Sequence, residues 1–339
     1  MKLLMLTRKV DAQDARAGFA VSWVSALAAK CVRLHVIAWQ ESSAAGLPSN
    51  VTLESLSGSV LRKFFALHRS MRMTIREVDG VFCHMNPEYT ILAAPVAQWY
   101  KRRLVAWYTH RKVSFRRRLM ELLADRIVTA SPESFRRPYS AKKVFVLGHG
   151  IDVAHFRPAE QAHSGGTFKI ITVGRLSASK RIDVMVAALG KLQDPSVELT
   201  VVGDAVLPVD TAYKKTVQER TKDTRVSFIG WVPHRETAKL YQIADLFINL
   251  SDTGSVDKAV LEAMACGCPV LTSNEAFKGI VPSDMFLEHA DAASLAETIK
   301  RVKALPSETR LEQGLKLREI VVRDHGIEQL ASRILKQFE

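Results

Sequence analysis

Several absences narrow what this 339-residue chain can be. No apolar run reaches the eighteen or so residues that a membrane-spanning helix needs. There are only four cysteines, Cys31, Cys83, Cys266 and Cys268. They show no Cys-x-x-Cys spacing and no clustering with histidines, which argues against a disulfide framework and a zinc site of ordinary spacing. Cys266-x-Cys268 flanks an expected helix end and reads as packing, and the compartment is expected to be reducing and cytosolic. Asp-x-Asp is missing, and with it a common diphosphate-metal signature. There is no heptad run, short-period repeat or low-complexity tract. The chain opens directly on an apolar strand pattern, Leu3–Thr7, so no secretory leader is expected.

The charge is distributed unevenly. Residues 1–150 hold 24 Lys+Arg against 10 Asp+Glu, whereas the remainder holds 24 against 25. All the positive excess therefore lies in the first half. Such a field attracts anionic membrane surfaces, nucleic acids or phosphorylated acceptors. An apolar fraction of 47% and a charged fraction of 24% are those of a globular protein.

Strand patterns fall at Leu3–Thr7, Leu34–Ala38, Val51–Leu56, Gly80–His84, Leu104–Tyr108, Arg126–Thr129 and Lys143–Leu147, with helical patterns between most of them. Arg157-Pro158 and Ser164–Thr167 read as a linker. A second series runs through Phe168–Val173, Glu198–Val202, Val226–Ile229, Leu246–Leu250 and Val270–Thr272. Helices are expected near 291–305 and 309–337, the latter interrupted at Asp324–Gly326. Alternation at this spacing predicts α/β architecture with two doubly wound, Rossmann-like parallel sheets. Ligands of such sheets bind at the carboxyl ends of the strands.

The stretch 244–274 concentrates the functional signals. Ala244–Asn249 reads as a buried strand, Ser251–Ser255 as a small-residue loop, and Val256 onward as a helix closed by Gly267. The free N–H groups and macrodipole of such a helix start favour an anion. Glu262 lies two turns in, placed to read ligand hydroxyls. Arg175 and Lys180 follow the first strand of the second half. Two cations five residues apart on a strand-end loop suit a diphosphate, or form a plain solvated loop.

Three segments, in order, resemble the retaining glycosyltransferases of family four. They are Val173-Gly-Arg-Leu-Ser-Ala-Ser-Lys-Arg-Ile-Asp183, Val226-Ser-Phe-Ile-Gly-Trp-Val-Pro233 with Leu240–Asp245, and Leu261-Glu-Ala-Met-Ala-Cys-Gly-Cys-Pro-Val270. The resemblance implies the GT-B fold, two Rossmann-like domains facing across a cleft with the last helix crossing back to the first. The implied domains are 1–152 for the acceptor, 153–325 for the nucleotide sugar, and 326–339 as the returning helix. His149-Gly-Ile-Asp152 resembles the family's turn at the domain boundary.

By this resemblance, Gly174, Arg175 and Lys180 hold the donor's diphosphate. Trp231 and Val232 offer backbone groups to the base, Leu240 packs near base or ribose, and Glu262 holds the ribose hydroxyls. The family's first acid, eight residues before Glu262, is replaced by Gly254. Sugar recognition then falls to Asp257 or the hydroxyls of Thr253 and Ser255, with Val256 in the same donor-binding stretch and Lys258 supplementing the phosphate site. A branch of the family carries a similar Thr-Gly-Ser-x-Asp-Lys run. His110, at the carboxyl end of the strand Leu104–Tyr108, corresponds to a histidine near the donor sugar. Asp11, Asp14, Gly18 and His84 are candidates on the acceptor side. The implied catalytic set is His110, Arg175, Lys180 and Glu262, with no essential metal or cofactor beyond the nucleotide-sugar co-substrate.

Gly58–Glu77 interleaves five cations with Leu61, Phe64, Phe65, Met71 and Ile75, and a second basic cluster spans Lys101–Arg118. An amphipathic basic helix with Phe on it reads as membrane-surface binding, or as a solvated face. The function implied is sugar transfer to a membrane lipid or lipid-linked glycan, peripheral on the inner membrane face. The rivals are a nucleic-acid glycosyltransferase, a nucleotide-sugar-binding subunit without catalysis and, more remotely, a sugar epimerase on the same fold.

Overall fold

Runs of branched and long apolar residues form the parallel strands, because a parallel sheet covered on both faces buries every side chain. The computed structural model describes residues 1–14, 18–160, 166–221 and 224–339. Ser164 and Gly165 of the expected linker lie outside them. The described residues divide into two compact units, one of Met1–Asp152 with Asp324–Glu339 and one of Val153–Arg323.

The first unit contains β1 (Lys2–Thr7), α1 (Phe19–Ala28), β2 (Arg33–Ala38), β3 (Val51–Ser55), α2 (Val60–Thr74), β4 (Gly80–His84), α3 (Pro87–Trp99), β5 (Arg103–Trp107), α4 (Phe115–Leu123), β6 (Arg126–Thr129) and β7 (Val144–Val146). Its parallel sheet has the order β3-β2-β1-β4-β5-β6-β7. The direction of winding reverses between β1 and β4, which opens a crevice at their carboxyl ends. Leu3, Leu4 and Met5 are fully buried on this central strand. Helix starts follow local chemistry: Ser59 and Ser114 accept the Arg62 and Arg117 amides as N-caps of α2 and α4.

The second unit contains β8 (Phe168–Val173), α5 (Ile182–Leu192), β9 (Val197–Val202), α6 (Pro208–Glu219), β10 (Val226–Gly230), α7 (Thr237–Gln242), β11 (Leu246–Asn249), α8 (Lys258–Ala265), β12 (Val270–Thr272), α9 (Ala292–Ala304) and most of α10 (Ser307–His325). Its parallel order is β10-β9-β8-β11-β12, so here the winding reverses between β8 and β11. The expected helix from Val256 begins two residues later. Val256 turns inward and is buried, and Asp257 takes the N-cap position.

The chain re-enters the first unit at the end of α10, and α11 (Ile327–Leu335) follows. The Gly150 and Ile151 amides donate to the His325 carbonyl, and the Ile327 amide donates to that of Ile151. Ile327, Leu330 and Ile334 then join the core of Trp23, Leu27 and Phe82. Three such side chains removed from water contribute about 5–8 kcal/mol before entropy is counted. The returning helix is therefore structural to the first unit.

Candidate functional site

Glycine ends β8, β9 and β10 in one way or another: Gly174 and Gly203 follow the first two, and Gly230 closes the third. The Gly174 amide donates to the Val202 carbonyl and the Gly203 amide to that of Gly230. A Cβ at Gly203 would collide with the Gly174 carbonyl oxygen. The rim of the second unit's crevice is thus bare backbone, which lets a ligand approach closely.

Lys180, on the loop after β8, reaches across the winding reversal to the loop after β11. Its Nζ lies 2.8 Å from Asp257 Oδ2 and 3.4 Å from Ser251 Oγ. Asn249 Nδ2 donates to the same Asp257 oxygen at 3.0 Å. Asp257 occupies the N-cap of α8 but its side chain caps nothing, because these two partners hold it aside. The α8 start therefore keeps its macrodipole without a side-chain cap, with an ammonium beside it. Arg175 is 46% exposed and only loosely tied, its Nε 3.6 Å from Asp210 Oδ2. Arg175 and Lys180 both lie on the loop after β8, at the carboxyl end of that strand.

Gly254, which stands where the family pattern has an acid, adopts φ +61°. That left-handed conformation is strained for a side chain other than Gly, Asn or Asp. A glutamate does not suit the backbone of this loop. Around it, the Thr253 hydroxyl pairs with that of Ser251 at 3.0 Å, and the Ser255 carbonyl accepts from Asn274 at 2.9 Å. Asp257 is engaged by Lys180, so its carboxylate is oriented toward the loop after β8. Lys258 opens α8; desolvation outweighs the attraction of Glu262 and lowers its pKa to about 8.

Glu262 is buried, 4% exposed. Its Oε1 is 2.7 Å from His234 Nε2, and its Oε2 accepts from the Tyr241 hydroxyl at 3.4 Å. Burial, with the negative charge of Glu262 adding to it, pushes the Tyr241 phenol well above its ordinary value. His234 packs its ring 5.2 Å from Phe156 and was not among the expected site residues. Its only sequence signal is its place just after the Gly230–Pro233 turn. Of that turn, Trp231 is exposed and Val232 half-buried, and Leu240 on α7 is half-buried too.

The first unit has its own cavity, of about 210 Å³, at the reversal between β1 and β4. Thr7, Lys9, Phe19, His84 and Met85 contribute to its lining. His84 is buried, its Nδ1 3.1 Å from Thr7 Oγ1 and its ring 4.7 Å from Trp23. Met85 holds φ +78°, a strained conformation of the kind that gathers at ligand sites. Asp11 and Asp14 do not face a ligand alone. Lys9 Nζ is 3.0 Å from each, and Arg8 is 3.3 Å from Asp14. The hydrogen bond from Lys9 and then that from the Gln13 amide lower the Asp11 pKa. Gly18 is the αR N-cap of α1, so its backbone does not demand glycine. His110 reaches solvent from the loop after β5, its ring 5.4 Å from Tyr108, and desolvation by surrounding protein lowers its pKa.

All four cysteines are free and buried. Among the described residues, no three or more His, Cys, Asp or Glu side chains are placed to hold a metal ion.

Residues 167–304 match the model of the family described as glycosyl transferases group 1. The chain is 28% identical over 179 residues to a phosphatidylinositol N-acetylglucosaminyltransferase subunit of Arabidopsis thaliana, covering 51% of this chain and 39% of that protein. It is 27% identical over 169 residues to alpha-monoglucosyldiacylglycerol synthase of Streptococcus pneumoniae, covering 48% and 37%. The match thus spans well under half the length of these two curated relatives. Among solved structures it is similar to Anabaena HepE in complex with UDP and glucose, with TM-score 0.78, 18% identity and 99% of each chain covered. Sucrose-phosphate synthase from Thermosynechococcus elongatus gives TM-score 0.79 at 18% identity over 100% and 98%. These likenesses show the fold: two parallel-sheet, Rossmann-like α/β domains, as in GT-B structures.

Proposed function

We propose that this chain is a retaining, metal-independent glycosyltransferase that moves a sugar from a nucleotide-diphosphate sugar to a membrane lipid or lipid-linked glycan. The observation that carries the reading is the Lys180 ammonium, fixed by Asp257 and Ser251 beside the uncapped start of α8. With Arg175 on the same loop, it faces the place where a diphosphate leaving group would develop charge. Fixed charges and N–H dipoles already aimed at that place lower the barrier without reorganising during reaction. Glu262, oriented by His234 and Tyr241, is left to accept from ribose hydroxyls. Asp257 or the hydroxyls of Thr253 and Ser255 are proposed to read the sugar in place of the missing acid, with Lys258 supplementing the phosphate site. His110, from the first unit, is proposed to assist near the donor sugar, with His84 and the cavity beside it on the acceptor side.

Support for a lipid acceptor comes from the names of the diacylglycerol and phosphatidylinositol glycosyltransferases above and from the basic first unit. No helix among the described residues is long and apolar enough to cross a membrane. We place the protein in the cytoplasm, peripheral on the inner membrane face. Gly254 favours one second reading, a nucleotide-sugar-binding subunit without catalysis.

The test is a thermal-shift screen against UDP-, GDP-, ADP- and dTDP-sugars, with turnover of each hit followed by mass spectrometry in the presence of lipid acceptors. A ligand at a hundred times its dissociation constant adds about 2.7 kcal/mol of stability. Stabilisation and consumption by one donor, both lost in Arg175→Ala, is the expected result, and nuclear magnetic resonance of the product reads the anomeric configuration. Binding without consumption favours the non-catalytic reading. No binding by any sugar nucleotide overturns the donor site.

A further inference from the structure

The crossover helices α2, α3 and α4 lie side by side on one face of the first unit's sheet. Two contacts tie the layer together. Arg102 donates to the Ile75 and Arg76 carbonyls at the end of α2, at 3.2 and 3.1 Å. Arg116 on α4 pairs with Glu88 on α3 at 2.7 Å. The outer surface of this layer is unusual in composition. On α2, at 100° per residue, Leu61, Phe65, Arg69 and Arg72 project within an arc of roughly 80°, with Arg62 and Met73 on its flank and the exposed Arg76 just beyond the helix end. Leu61 is 67%, Phe65 63% and Met73 70% exposed, and α2 contains no Asp or Glu. Phe64, by contrast, is half-buried with its ring tilted against His68 at 4.4 Å, so only one of the two phenylalanines read from sequence faces out. The same layer exposes Trp99 at 82%, Phe115 at 81% and Leu122 at 65%. Residues 60–122 carry 13 Lys+Arg against 4 Asp+Glu.

We propose that the outer face of the α2–α3–α4 layer docks on an anionic phospholipid surface, with Leu61, Phe65 and Met73 entering the headgroup boundary between arginines that meet lipid phosphates. Charge alone would serve a nucleic acid equally. Three large apolar side chains held in water on the arginine face are what an electrostatic footprint does not need and a bilayer boundary uses. Arg69 stands one turn from both Phe65 and Met73, so a charged and two apolar side chains reach the same plane there. The transfer reaction plays no part in this argument, and its test does not read activity.

The experiment is co-sedimentation of the full chain with vesicles of phosphatidylcholine alone and of phosphatidylcholine mixed with phosphatidylglycerol, beside titration with duplex and single-stranded DNA. Two triple variants are compared: Leu61→Ser/Phe65→Ser/Met73→Ser, which keeps all charges, and Arg69→Gln/Arg72→Gln/Arg76→Gln. All six positions are exposed, and an unchanged thermal midpoint confirms the fold of each variant. The wild type is expected to bind the phosphatidylglycerol vesicles and not the neutral ones. Each arginine removed lowers partitioning about fivefold at low salt, about a hundredfold for three. The serine variant loses a similar factor through its apolar contacts. The proposal is overturned if the serine variant partitions like the wild type. It is equally overturned if the protein binds DNA in preference to the anionic vesicles, or binds neither.

Discussion

Gly254 offers a sharp test of how the donor loop is built. Its φ of +61° puts it in the left-handed region. There an L-residue with a β-carbon costs roughly 1–2 kcal/mol, whereas asparagine is tolerated through local hydrogen bonding. In a domain of 150–250 residues, each kcal/mol moves the thermal midpoint by about 2–4 °C. Gly254→Ala is therefore expected to lower the midpoint of the Val153–Arg323 unit by about 2–8 °C, and Gly254→Asn by clearly less. Differential scanning calorimetry of the full chain reads both. The order separates two causes, because asparagine is larger than alanine and crowding would make it the worse substitution. Gly254→Glu would restore the acid of the family pattern, and is expected to be no more stable than the alanine variant and to gain no donor affinity. Alanine as stable as wild type, or asparagine worse than alanine, refutes the backbone argument. Tighter donor binding by the glutamate variant would show that the loop accepts the older arrangement.

Further outcomes follow from the same geometry. Lys180→Ala and Arg175→Ala are each expected to weaken binding of the donor nucleotide about 10- to 150-fold, the range of a charged hydrogen bond, as read by titration calorimetry. Lys258 has a folded pKa of about 8 against an ordinary 10.5. Between those values the unfolded chain binds the extra proton, so this residue makes stability rise with pH there and contributes no such slope below about 8. Lys258→Met should remove that rise from the pH dependence of denaturant midpoints, and an identical slope in both proteins would contradict the desolvation of its ammonium. Leu330→Ala, on the returning helix, should destabilise the first unit by about 2–5 kcal/mol, measured by chemical denaturation, while leaving nucleotide affinity unchanged.

The strands were legible because buried parallel strands are short apolar runs between turn residues; Gly80–His84, Arg126–Thr129, Phe168–Val173 and Val270–Thr272 fall where the pattern placed them. The places of Arg175 and Lys180 on a strand-end loop and of Glu262 on a helix were legible because short motifs fix them. What side chains do to one another across the sheet was not. His234 and Glu262 are 28 residues apart, and only the packing of α7 against α8 makes them partners. The ion pair of Asp257 with Lys180, 77 residues away, is likewise made only by the fold. The left-handed backbone at Gly254 could be suspected from glycine but not distinguished from a simple loss of the acid. The outward turn of Phe65 and inward turn of Phe64 depended on how α2 rolls against its sheet.

The first unit is assembled from the two ends of the chain, with the second unit inserted between Asp152 and Asp324. During synthesis, the ribosome delivers β1 to β7 long before Ile327, Leu330 and Ile334 exist to cover Trp23 and Leu27. The inserted unit, being continuous, has all its residues outside the tunnel earlier. Order of completion is therefore the reverse of order of emergence, and the first-made half must wait with an apolar strip uncovered. That interval is when the nascent protein would be most exposed to chaperone capture or to pairing with another unfinished copy, and codons that slow translation across the insert would lengthen it.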